Sequence, residues 1–530
     1  MSRREYFLLG SFGLTIVLVV SSFQTSPGYM DADYYLAGGI NLAKGSGFND
    51  YILWNYLDDP RGIPHPSHTY WMPLASLLSA LGMVITGAAN FSSGRIFFIL
   101  AASTIAPLTA RLSYSIYRVR EYALLAGIFA ALPGFYLAYL GTTDTFGIYM
   151  VLGCLWLLIA GDRGLSEPLK LSLLGLVSGL MHLARADGVV WLLLGFFYLV
   201  IGRFNGKLSF NLCGRRPAQL IVAAGALVGG YMLIMGPWML RNLFAFGSLL
   251  SPGGMRTLWL VNYDDLYAYP GDQITFARWW SAGVQAILSS RWHALSINLQ
   301  TAFAVQGAIF LTPLIITGLW KAKQHRAVII GGLYWLVTLF TMTGLFPEVG
   351  WRGGFFHSGA AIQPLFWAAA PAGLAEFVRF GVRIRRWNWK QAWTFFRAGC
   401  VVLLVILTFI TVGRRVTGFS ATADVWDQSA KIYSEIEVEL ARIGTPENEV
   451  VMVNNPPGYF VATGRPAISI PNGGIMNTLA VAERYGSRYL ILEPNHPKEM
   501  EGVYNRIEGD ERLQYVSTIR EAHIFRIPTK

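Results

Sequence analysis

The sequence predicts a mainly α-helical, polytopic membrane protein with about 11 transmembrane helices, plus a small C-terminal α/β domain outside the membrane. The first observation is composition, because 53% of the 530 residues are hydrophobic and only 14% are charged. The second is the mean hydropathy of +0.42, which an ordinary soluble domain does not reach. The third is a change of pattern near residue 417, after which the long apolar stretches stop.

Apolar stretches long enough to cross a bilayer, about 20 residues with some shorter, recur along the chain. They lie near residues 7–23, 95–114, 121–139, 145–161, 170–184, 188–202, 218–237, 301–320, 327–346, 358–378 and 398–413. The first stretch has the charged and apolar parts of a secretory signal but lacks a clear small-x-small cleavage site. We therefore predict a retained first span.

The apolar segment "WMPLASLLSALGMVITG" (71–87) is ambiguous, and the distribution of positive charge decides its placement. If it does not cross, the inner connections carry about twice as many Lys and Arg residues as the outer ones, as the positive-inside rule requires. If it crosses, "RFGVRIRRWNWK" faces outward, against that rule. We predict a juxtamembrane or re-entrant helix on the outer face, a cytoplasmic N-terminus and an extracytoplasmic C-terminus.

This topology divides the chain into a membrane domain (1–416) and an extracytoplasmic domain (417–530). The membrane domain has two sizeable outer loops, 24–94 and 238–300. The tail alternates short apolar runs, "EVVMVN", "RYLILE" and "AHIFRI", with helix-like stretches such as "NTLAVAERYG". That alternation is typical of a small α/β domain.

The net charge of +11 would suggest nucleic acid as a partner in a soluble chain. In a multi-pass cell-membrane protein the inner loops account for it, so we expect the lipid bilayer and no nucleic acid. The cysteines Cys154, Cys213 and Cys400 have neither metal-ligand nor CxxC spacing, so they indicate no disulfide framework and no cysteine metal site.

Ionisable residues are concentrated where spans meet the predicted outer interface, and almost none lies at mid-span. They are Asp31 and Asp33 after the first span, Asp144 at the start of another, His182, Arg185 and Asp187 at one connection, Arg241 after a span, and Glu348, Arg352 and His357 at a further connection. Ionisable groups at such depths indicate a functional site.

Each of these residues also has an ordinary structural interpretation. Asp31 and Asp144 are suited to helix N-caps. Arg241 and Arg352 are equally suited to anchoring at lipid headgroups, and His182 to an interhelical hydrogen bond. His65 and His68 in "PHPSHTYW" have a spacing that suits a metal, but with no nearby acid the signal is weak.

Taken in order, a group of motifs resembles the GT-C superfamily of membrane glycosyltransferases, most closely the branch with protein O-mannosyltransferases and lipid A aminoarabinose transferases. The motifs are "DADYYLAGGINLAKGSGF", "HPSHTYWMPLASLLSAL", "TTDTFGIY", "GLMHLARADGVVWLLL", "GPWMLRNLFAFGSLLSP" and "RGGFFHSGAAIQPLFW". They cover about the first 380 residues. Each string is degenerate, and it is their order along the chain that is specific.

The resemblance implies a GT-C fold and transfer of a sugar, with inversion, from a polyprenyl-phosphate carrier to an acceptor hydroxyl on the outer face. The acceptor class, protein, lipid or glycan, is left open. Asp31 matches the first acid of the family motif and is implied to be the general base. Asp144 matches the second acid, which orients the acceptor or supports a cation, so a divalent cation also stays open. The candidates for contact with the donor phosphate are Arg241, Arg352, Arg185, His65 and His357.

The sequence departs from the family pattern at two places. Ala32 stands where the branch commonly has Glu, so a paired-acid role falls only on Asp33. His65-Pro66-Ser67 stands before the aromatic pair where the aminoarabinose enzymes show Lys-Pro-Pro. The WWD motif of oligosaccharyltransferases is absent from the sequence, which disfavours transfer of a whole oligosaccharide to Asn.

Two other functions remain as alternatives. A transporter or lipid flippase also needs many spans, but it normally places ionisable or helix-breaking residues near the bilayer midplane. A non-catalytic scaffold or receptor would use its external domain for binding and retain the membrane part as a degenerate transferase.

Overall fold

The computed structural model describes residues 1–204, 207–210, 217–419, 426–506 and 511–528. The chain forms two compact units, each built from three separate segments. Unit 1 comprises residues 1–23, 97–249 and 292–423. Unit 2 comprises residues 24–96, 250–291 and 424–530. Unit 2 thus combines segments of the two predicted outer loops with the predicted tail domain.

Over its described residues, unit 1 is helical apart from one two-stranded antiparallel ribbon, Ile201–Phe204 with Lys207–Phe210. The α-helices that lie wholly or mostly in it are Arg3–Ser21, Ile96–Tyr117, Arg120–Ala131, Leu137–Leu140, Phe146–Gly161, Glu167–Ala184, Val189–Val200, Pro217–Phe246, Val284–Thr301, Thr312–Lys321, Arg326–Phe340, Pro347–Val349, Phe355–Gly359, Gln363–Arg385 and Trp389–Val412. Short 3-10 or π turns join several of them, notably Ala186–Gly188, Thr341–Leu345 and Gly350–Gly354.

Within the described residues, six helices are long and apolar enough to cross a membrane. They are Arg3–Ser21, Phe91–Tyr117, Ala218–Phe246, Arg326–Leu345, Pro347–Arg385 and Trp389–Thr417. The bent pair Arg120–Ala131 and Gly134–Leu140 brings the number to seven, and three shorter apolar helices are Leu74–Thr86, Phe146–Gly161 and Ala186–Leu199. All the stretches predicted as spans are helical over most of their length. The chain is therefore a multi-pass membrane protein, and the larger span number stays a prediction.

Glycines allow the helices of unit 1 to approach closely. A Cβ atom added at Gly175 would overlap the carbonyl oxygen of Leu227 on the helix Pro217–Phe246, and one added at Gly373 would overlap the carbonyl oxygen of Leu314. Small residues are common where helices pack in membranes, since lipid supplies no hydrophobic drive for association and close backbone contact must replace it.

Unit 2 combines helices with a mixed sheet. Its α-helices are Met30–Ala43, Leu74–Thr86, Phe91–Gly94, Pro252–Arg256, Phe276–Ser281, Gln428–Arg442, Pro456–Thr463, Gly474–Tyr485 and Glu501–Asn505. The six-stranded sheet has the order Ile52–Leu53, Ala467–Ser469, Val450–Val453, Ser487–Leu492, Ala522–Arg526, Gln514–Ile519. The first four strands are parallel and the last two pair antiparallel. A separate small ribbon pairs Asn49–Asp50 with His65–Pro66.

Both faces of the sheet are covered, which explains why its strands read as continuous apolar runs. On one face, Tyr433, Ile436 and Tyr459 pack on Val451 and Ile491. On the other, the helix Gly474–Tyr485 contributes to a core that also contains Met452, Leu490 and Phe525. The edge strand Ile52–Leu53 comes from the first predicted outer loop, so residues far apart in sequence share one sheet.

Candidate active site

Asp31 and Asp33 lie in the first turn of the helix Met30–Ala43 in unit 2. The N-cap of this helix is Tyr29, and no side chain caps it. The interpretation of Asp31 as the N-cap is therefore wrong, because the extended backbone of Tyr29 places the N-cap two positions before Asp31 and the helix begins at Met30. Asp31 is partly exposed. Its carboxylate still interacts favourably with the positive end of the helix.

The chain preceding this helix is held by the segment after residue 424. The carboxylate of Asp427 accepts hydrogen bonds from the backbone N–H of Thr25 at 3.1 Å and of Ser26 at 2.8 Å. The indole of Trp426 donates to the carbonyl of Ser26 at 2.9 Å. Gly28 has φ +92, and a Cβ there would overlap that indole, so glycine is required. These contacts fix where the helix carrying Asp31 begins.

Asp33 points into unit 2 and is buried, with 6% of its surface exposed. Its Oδ2 accepts a hydrogen bond of 3.0 Å from Nδ2 of Asn455. The pKa of Asp33 is raised from its ordinary 3.8 to about 7, mainly by burial; the hydrogen bond from Asn455 opposes this rise, and the charge on Asp31 adds to it. Asp33 therefore joins the helix to the tail, while Asp31 keeps partial access to solvent.

Two residues of unit 2 near these acids were not predicted as site residues. Asn455 is a helix N-cap whose Oδ1 accepts from the N–H of Gly458 at 3.0 Å while its amide holds Asp33. Its sequence signal is the Asn before a proline pair in "NNPPGY", which also reads as a turn. Tyr267 has a pKa raised by burial, to which the nearby Asp31 adds. No sequence pattern links Tyr267 to Asp31.

His65 and His68 both make hydrogen bonds within unit 2. The ring nitrogens of His65 lie 3.0 Å from the carbonyl oxygen of Ile52 and 3.1 Å from that of Pro66. Those of His68 lie 2.7 Å and 3.0 Å from the hydroxyls of Ser67 and Ser76. These hydrogen bonds stabilise the loop that contains both histidines, so the proposed phosphate site does not include His65.

In unit 1, Asp144 and His357 form a direct pair. Oδ2 of Asp144 lies 3.1 Å from Nε2 of His357, and Nδ1 of His357 lies 3.0 Å from the carbonyl oxygen of Gly353. The ring stacks on Phe146 with 4.0 Å between ring centroids. Both hydrogen-bond partners are acceptors, so only the doubly protonated imidazole satisfies both contacts.

The N-cap of the helix Phe146–Gly161 is Thr145, not Asp144, which corrects the capping interpretation of Asp144. Oδ1 of Asp144 instead accepts from the N–H and the hydroxyl of Thr145. The carboxylate is 1% exposed. Oδ1 thus stabilises the start of the helix, and Oδ2 contacts His357.

Arg185 lies near this pair, because it contacts Ser358, the residue that follows His357. Its Nη2 lies 3.5 Å from the Ser358 hydroxyl, its Nε forms an ion pair of 2.9 Å with Asp187, and its guanidinium lies 5.9 Å from the Tyr149 ring centroid. The structure therefore gathers three of the predicted residues of unit 1, Asp144, His357 and Arg185, into one region.

The other predicted arginines lie on separate elements of unit 1. The guanidinium of Arg241 lies 4.9 Å from the ring centroids of both Trp238 and Phe246. Arg352 is exposed, 4.6 Å from the ring centroid of Trp351, in the turn Gly350–Gly354. Aromatic neighbours restrict the planar guanidinium, and Nη1 of Arg241 also donates to Oδ1 of Asn242 at 3.1 Å.

Glu348 and His182 complete the residues of unit 1 that the sequence singles out. Glu348 is buried and its Oε2 accepts from the indole of Trp351 at 3.2 Å, so it braces the turn that carries Arg352. The sequence marks Glu348 only as one of the charged residues at a connection. Nδ1 of His182 lies 2.6 Å from the hydroxyl of Tyr231 on the neighbouring helix. The prediction of an interhelical hydrogen bond for His182 is thus confirmed.

Comparison with known proteins gives matches at the level of structure alone. No family model matches the chain. No curated protein matches it either.

Solved structures of membrane glycosyltransferases share the fold. ArnT from Cupriavidus metallidurans bound to undecaprenyl phosphate matches 99% of this chain and 98% of its own length, with TM-score 0.55 and 11% identity. The archaeal oligosaccharyltransferase AglB from Archaeoglobus fulgidus, in complex with an inhibitory peptide and a dolichol-phosphate, matches 100% of this chain and 77% of its own, with TM-score 0.53 and 13% identity.

The arabinofuranosyltransferase AftD from Mycobacteria matches 100% of this chain over 42% of its own length, with TM-score 0.53 and 12% identity. All three are GT-C superfamily membrane glycosyltransferases. At these identities the comparison shows the fold, and the GT-C fold that the sequence resemblance implies is confirmed.

Proposed function

We propose that this protein is an inverting glycosyltransferase that moves a sugar from a polyprenyl-phosphate carrier to an acceptor hydroxyl at the outer face of the membrane. The observation that carries the proposal is the match to ArnT over nearly the whole of both chains, since that protein was solved with undecaprenyl phosphate. The acceptor is a hydroxyl of a protein, a lipid or a glycan. Because fold alone does not fix chemistry, the residues must supply the rest of the argument.

Asp31 is the proposed general base. It follows directly on the first span, lies in the first turn of its helix and is partly exposed, whereas Asp33 is buried against the tail. The acceptor oxygen attacks the anomeric carbon, and Asp31 takes the acceptor proton. The bond from that carbon to the phosphate oxygen breaks, and its electron pair leaves with the polyprenyl phosphate. A phosphate is a good leaving group, so the step needs little acid catalysis.

Asp144 and His357 are proposed to act as a pair that orients the substrates. The stacking on Phe146 and the bond to Gly353 hold the imidazole, so the buried carboxylate has a fixed partner. A carboxylate oxygen and an imidazole nitrogen are also ligands that suit a divalent cation, and a cation there would stabilise the leaving phosphate. Such a cation would need the neutral imidazole of His357. Without a cation, the imidazolium keeps both of its N–H bonds, and its positive charge would stabilise the leaving phosphate.

The donor phosphate is proposed to bind Arg352, Arg241 and Arg185. Arg352 is the most exposed of the three, on a turn braced by Glu348. Arg185 already forms an ion pair with Asp187, so we rank it third among the candidates for contact with the phosphate. Guanidinium groups suit this task because they bind phosphate oxygens through two parallel hydrogen bonds.

The proposed topology has a cytoplasmic N-terminus, a membrane domain over residues 1–416 and an extracytoplasmic domain over 417–530. The distribution of Lys and Arg supports it. The base must reach a carbon whose carrier tail stays in the bilayer, and an acid next to the first span lies at that depth.

The test is sugar release from a panel of radiolabelled polyprenyl-phosphate sugars by the purified protein in lipid nanodiscs. We compare the wild type with Asp31→Asn and with Asp272→Asn, an exposed acid of the same unit. We expect release or transfer from at least one donor, a loss of at least about 100-fold in Asp31→Asn, and no change in Asp272→Asn. All proteins must show the same thermal midpoint.

Lack of turnover with every donor, together with binding of a glycan or lipid by residues 417–530, would overturn the proposal in favour of a scaffold or receptor. Turnover that persists in Asp31→Asn would remove the assigned base. Movement of the intact lipid-linked sugar across the bilayer, without release, would indicate a transporter.

A further inference from the structure

Two adjoining cavities of about 190 and 230 Å³ lie in unit 1 around the connection between the helices Phe146–Gly161 and Glu167–Ala184. Residues 161–163 line both. We refer to the two cavities as the basic cleft, since its charged or titratable lining consists of Arg111, Arg118, Arg163, Arg326, His325 and Asp162.

The basic cleft lies far from the candidate active site of unit 1. Asp144 stands just before the helix Phe146–Gly161 and Asp162 just after it. At 1.5 Å per residue, this helix separates the two ends by roughly 24 Å. The cleft and the Asp144–His357 pair are therefore at opposite ends of the same helix.

The charge of the cleft is positive. Four arginines line it, and Asp162 is the one acid among the described lining residues. Oδ1 of Asp162 accepts from the N–H groups of Gly164 at 2.7 Å and Leu165 at 3.0 Å, which hold the pKa of Asp162 low, with Lys170 and Arg111 contributing less. Asp162 is therefore ionised at neutral pH, and its single negative charge compensates for only one of the four arginine charges.

The arrangement of the arginines suits a phosphate. Arg111 and Arg118 lie in and just after the last turns of the helix Ile96–Tyr117, Arg163 lies on the loop, and Arg326 begins a further helix. Arg326 is anchored by a 2.9 Å bond from Nη1 to the hydroxyl of Tyr198. Arg111, Arg118 and Arg163 thus line the larger cavity, and Arg163 and Arg326 line the smaller one. Arginine binds phosphate oxygens through paired N–H donors.

Apolar side chains beside the arginines favour a lipid over a soluble phosphate. Val119 follows Arg118 and is 37% exposed, and Leu158, Ile159 and Leu165 line the larger cavity. A phospholipid would place its phosphate among the arginines and its acyl chains against such side chains. Basic pockets between membrane helices bind anionic lipid headgroups in this way.

We propose that the basic cleft binds the phosphate group of an anionic phospholipid, in the leaflet opposite the candidate active site. The site depends on the cavity, the convergent arginines and the neighbouring apolar surface, and it does not depend on the proposed transferase activity. The lipid would brace the loop 161–166 and the ends of the helices around it.

The test measures lipid retention by native mass spectrometry of the purified full-length protein titrated with phosphatidylglycerol or phosphatidylcholine. We expect at least tenfold tighter binding of one phosphatidylglycerol. The double variant Arg111→Gln/Arg163→Gln should lose this preference, and the single variant Arg118→Gln should reduce it. The matched control is Arg397→Gln, an exposed arginine of another predicted inner connection, and it should behave as the wild type. Asp31→Asn should also bind as the wild type.

Four results would overturn the proposal. Equal affinity for both lipids, or unchanged binding in the folded double variant, would show that the cleft is not a lipid site. An equal effect in Arg397→Gln would show diffuse attraction to basic loops. Competition by glycerol phosphate or inorganic phosphate at the same concentration as phosphatidylglycerol would assign the cleft to soluble phosphates. Thermal midpoints of every variant confirm folding.

Discussion

Oδ2 of Asp144 and Nε2 of His357 lie 3.1 Å apart although 213 residues separate them in the chain. The contact links the turn before one helix to another helical segment of unit 1. Phe146 and Gly353 hold the ring of His357, and Thr145 holds the carboxylate of Asp144, so both partners are fixed. This pair is the best-defined polar contact between two predicted site residues, and it gives the first prediction.

Replacing either partner should reduce the rate of sugar transfer by about 10- to 1,000-fold. The losses measured in the two single variants should not multiply in the double variant. Asp144→Asn and His357→Ala are compared with the double variant in single-turnover assays. Because the two side chains act as a pair, the first replacement already removes the function of the pair. The double variant should therefore be only slightly slower than either single variant. Independent losses that multiply would show that the contact has no role in transfer.

Arg352 and Arg185 should differ in what their loss affects. Arg352→Gln should raise the KM for the donor by about 10- to 100-fold with a smaller change in kcat, since an exposed guanidinium contributes mainly binding. Arg185→Gln should lower the thermal midpoint as well, because it leaves Asp187 without its ion-pair partner.

Kinetics over a range of donor concentrations and a melting curve check both predictions. Arg383→Gln, at an exposed position of the helix Gln363–Arg385, is the control. An unchanged donor KM in Arg352→Gln would remove this residue from the phosphate site.

The stability of unit 2 should fall as pH rises from about 4 to about 7. The pKa of Asp33 is raised from 3.8 to about 7, and that of Glu493 from 4.5 to about 7, in both cases mainly by burial. The folded state therefore holds protons that the unfolded chain has released. For each acid, stability is greatest below the unfolded pKa and declines by up to about 1.4 kcal/mol per pH unit until the folded pKa is passed.

Asp33→Asn should reduce this slope, since an amide stays neutral and can still pair with Asn455, while Glu493 and Asp58, whose pKa is also raised by burial, continue to titrate. The measurement is the thermal midpoint of both proteins between pH 4.5 and 8. A slope equal to that of the wild type would contradict the raised pKa of Asp33, and stability that rises with pH would contradict the burial argument as a whole.

Close helix contact in unit 1 gives a matched pair of glycine substitutions. Gly373→Ala should destabilise the protein by about 1–3 kcal/mol because the new Cβ overlaps the carbonyl of Leu314. Gly399→Ala, in the helix Trp389–Val412, meets no atom within 4 Å. It should be neutral or stabilising, because alanine is the better helix former. Thermal melting in detergent checks both, and equal midpoints for the two variants would show that the helices separate at Gly373.

Sequence reasoning succeeds where the signal is local. The apolar stretches are helical because a bilayer requires backbone hydrogen bonds within the segment, and length and hydropathy record that requirement. His182 was correctly interpreted because a polar side chain on an apolar helix needs a partner on a neighbouring helix. The short helix Leu74–Thr86 also agrees with a segment too short to span.

Local patterns fail where the partner is distant. Asp31 and Asp144 looked like caps, but the caps are Tyr29 and Thr145, since boundaries one residue apart are set by backbone geometry. The hydrogen bond between Asp33 and Asn455 joins residues 422 positions apart, and the local sequence around either residue does not predict its partner. The sequence therefore identifies candidate acids and arginines, but it does not show that Asp33 is buried and structural whereas Asp31 is partly exposed.

The edge strand Ile52–Leu53 has a consequence for biosynthesis. It pairs with Ala467–Ser469, whose residues are translated some 400 positions later. At 5–20 residues per second a ribosome needs roughly 20 to 80 s to cover that distance. During this interval the early loop has no pairing partner, so the growing chain is open to proteolysis or wrong strand pairing. We expect the maturation of unit 2 to begin only when the last fifth of the polypeptide emerges, and chaperones have that interval in which to act.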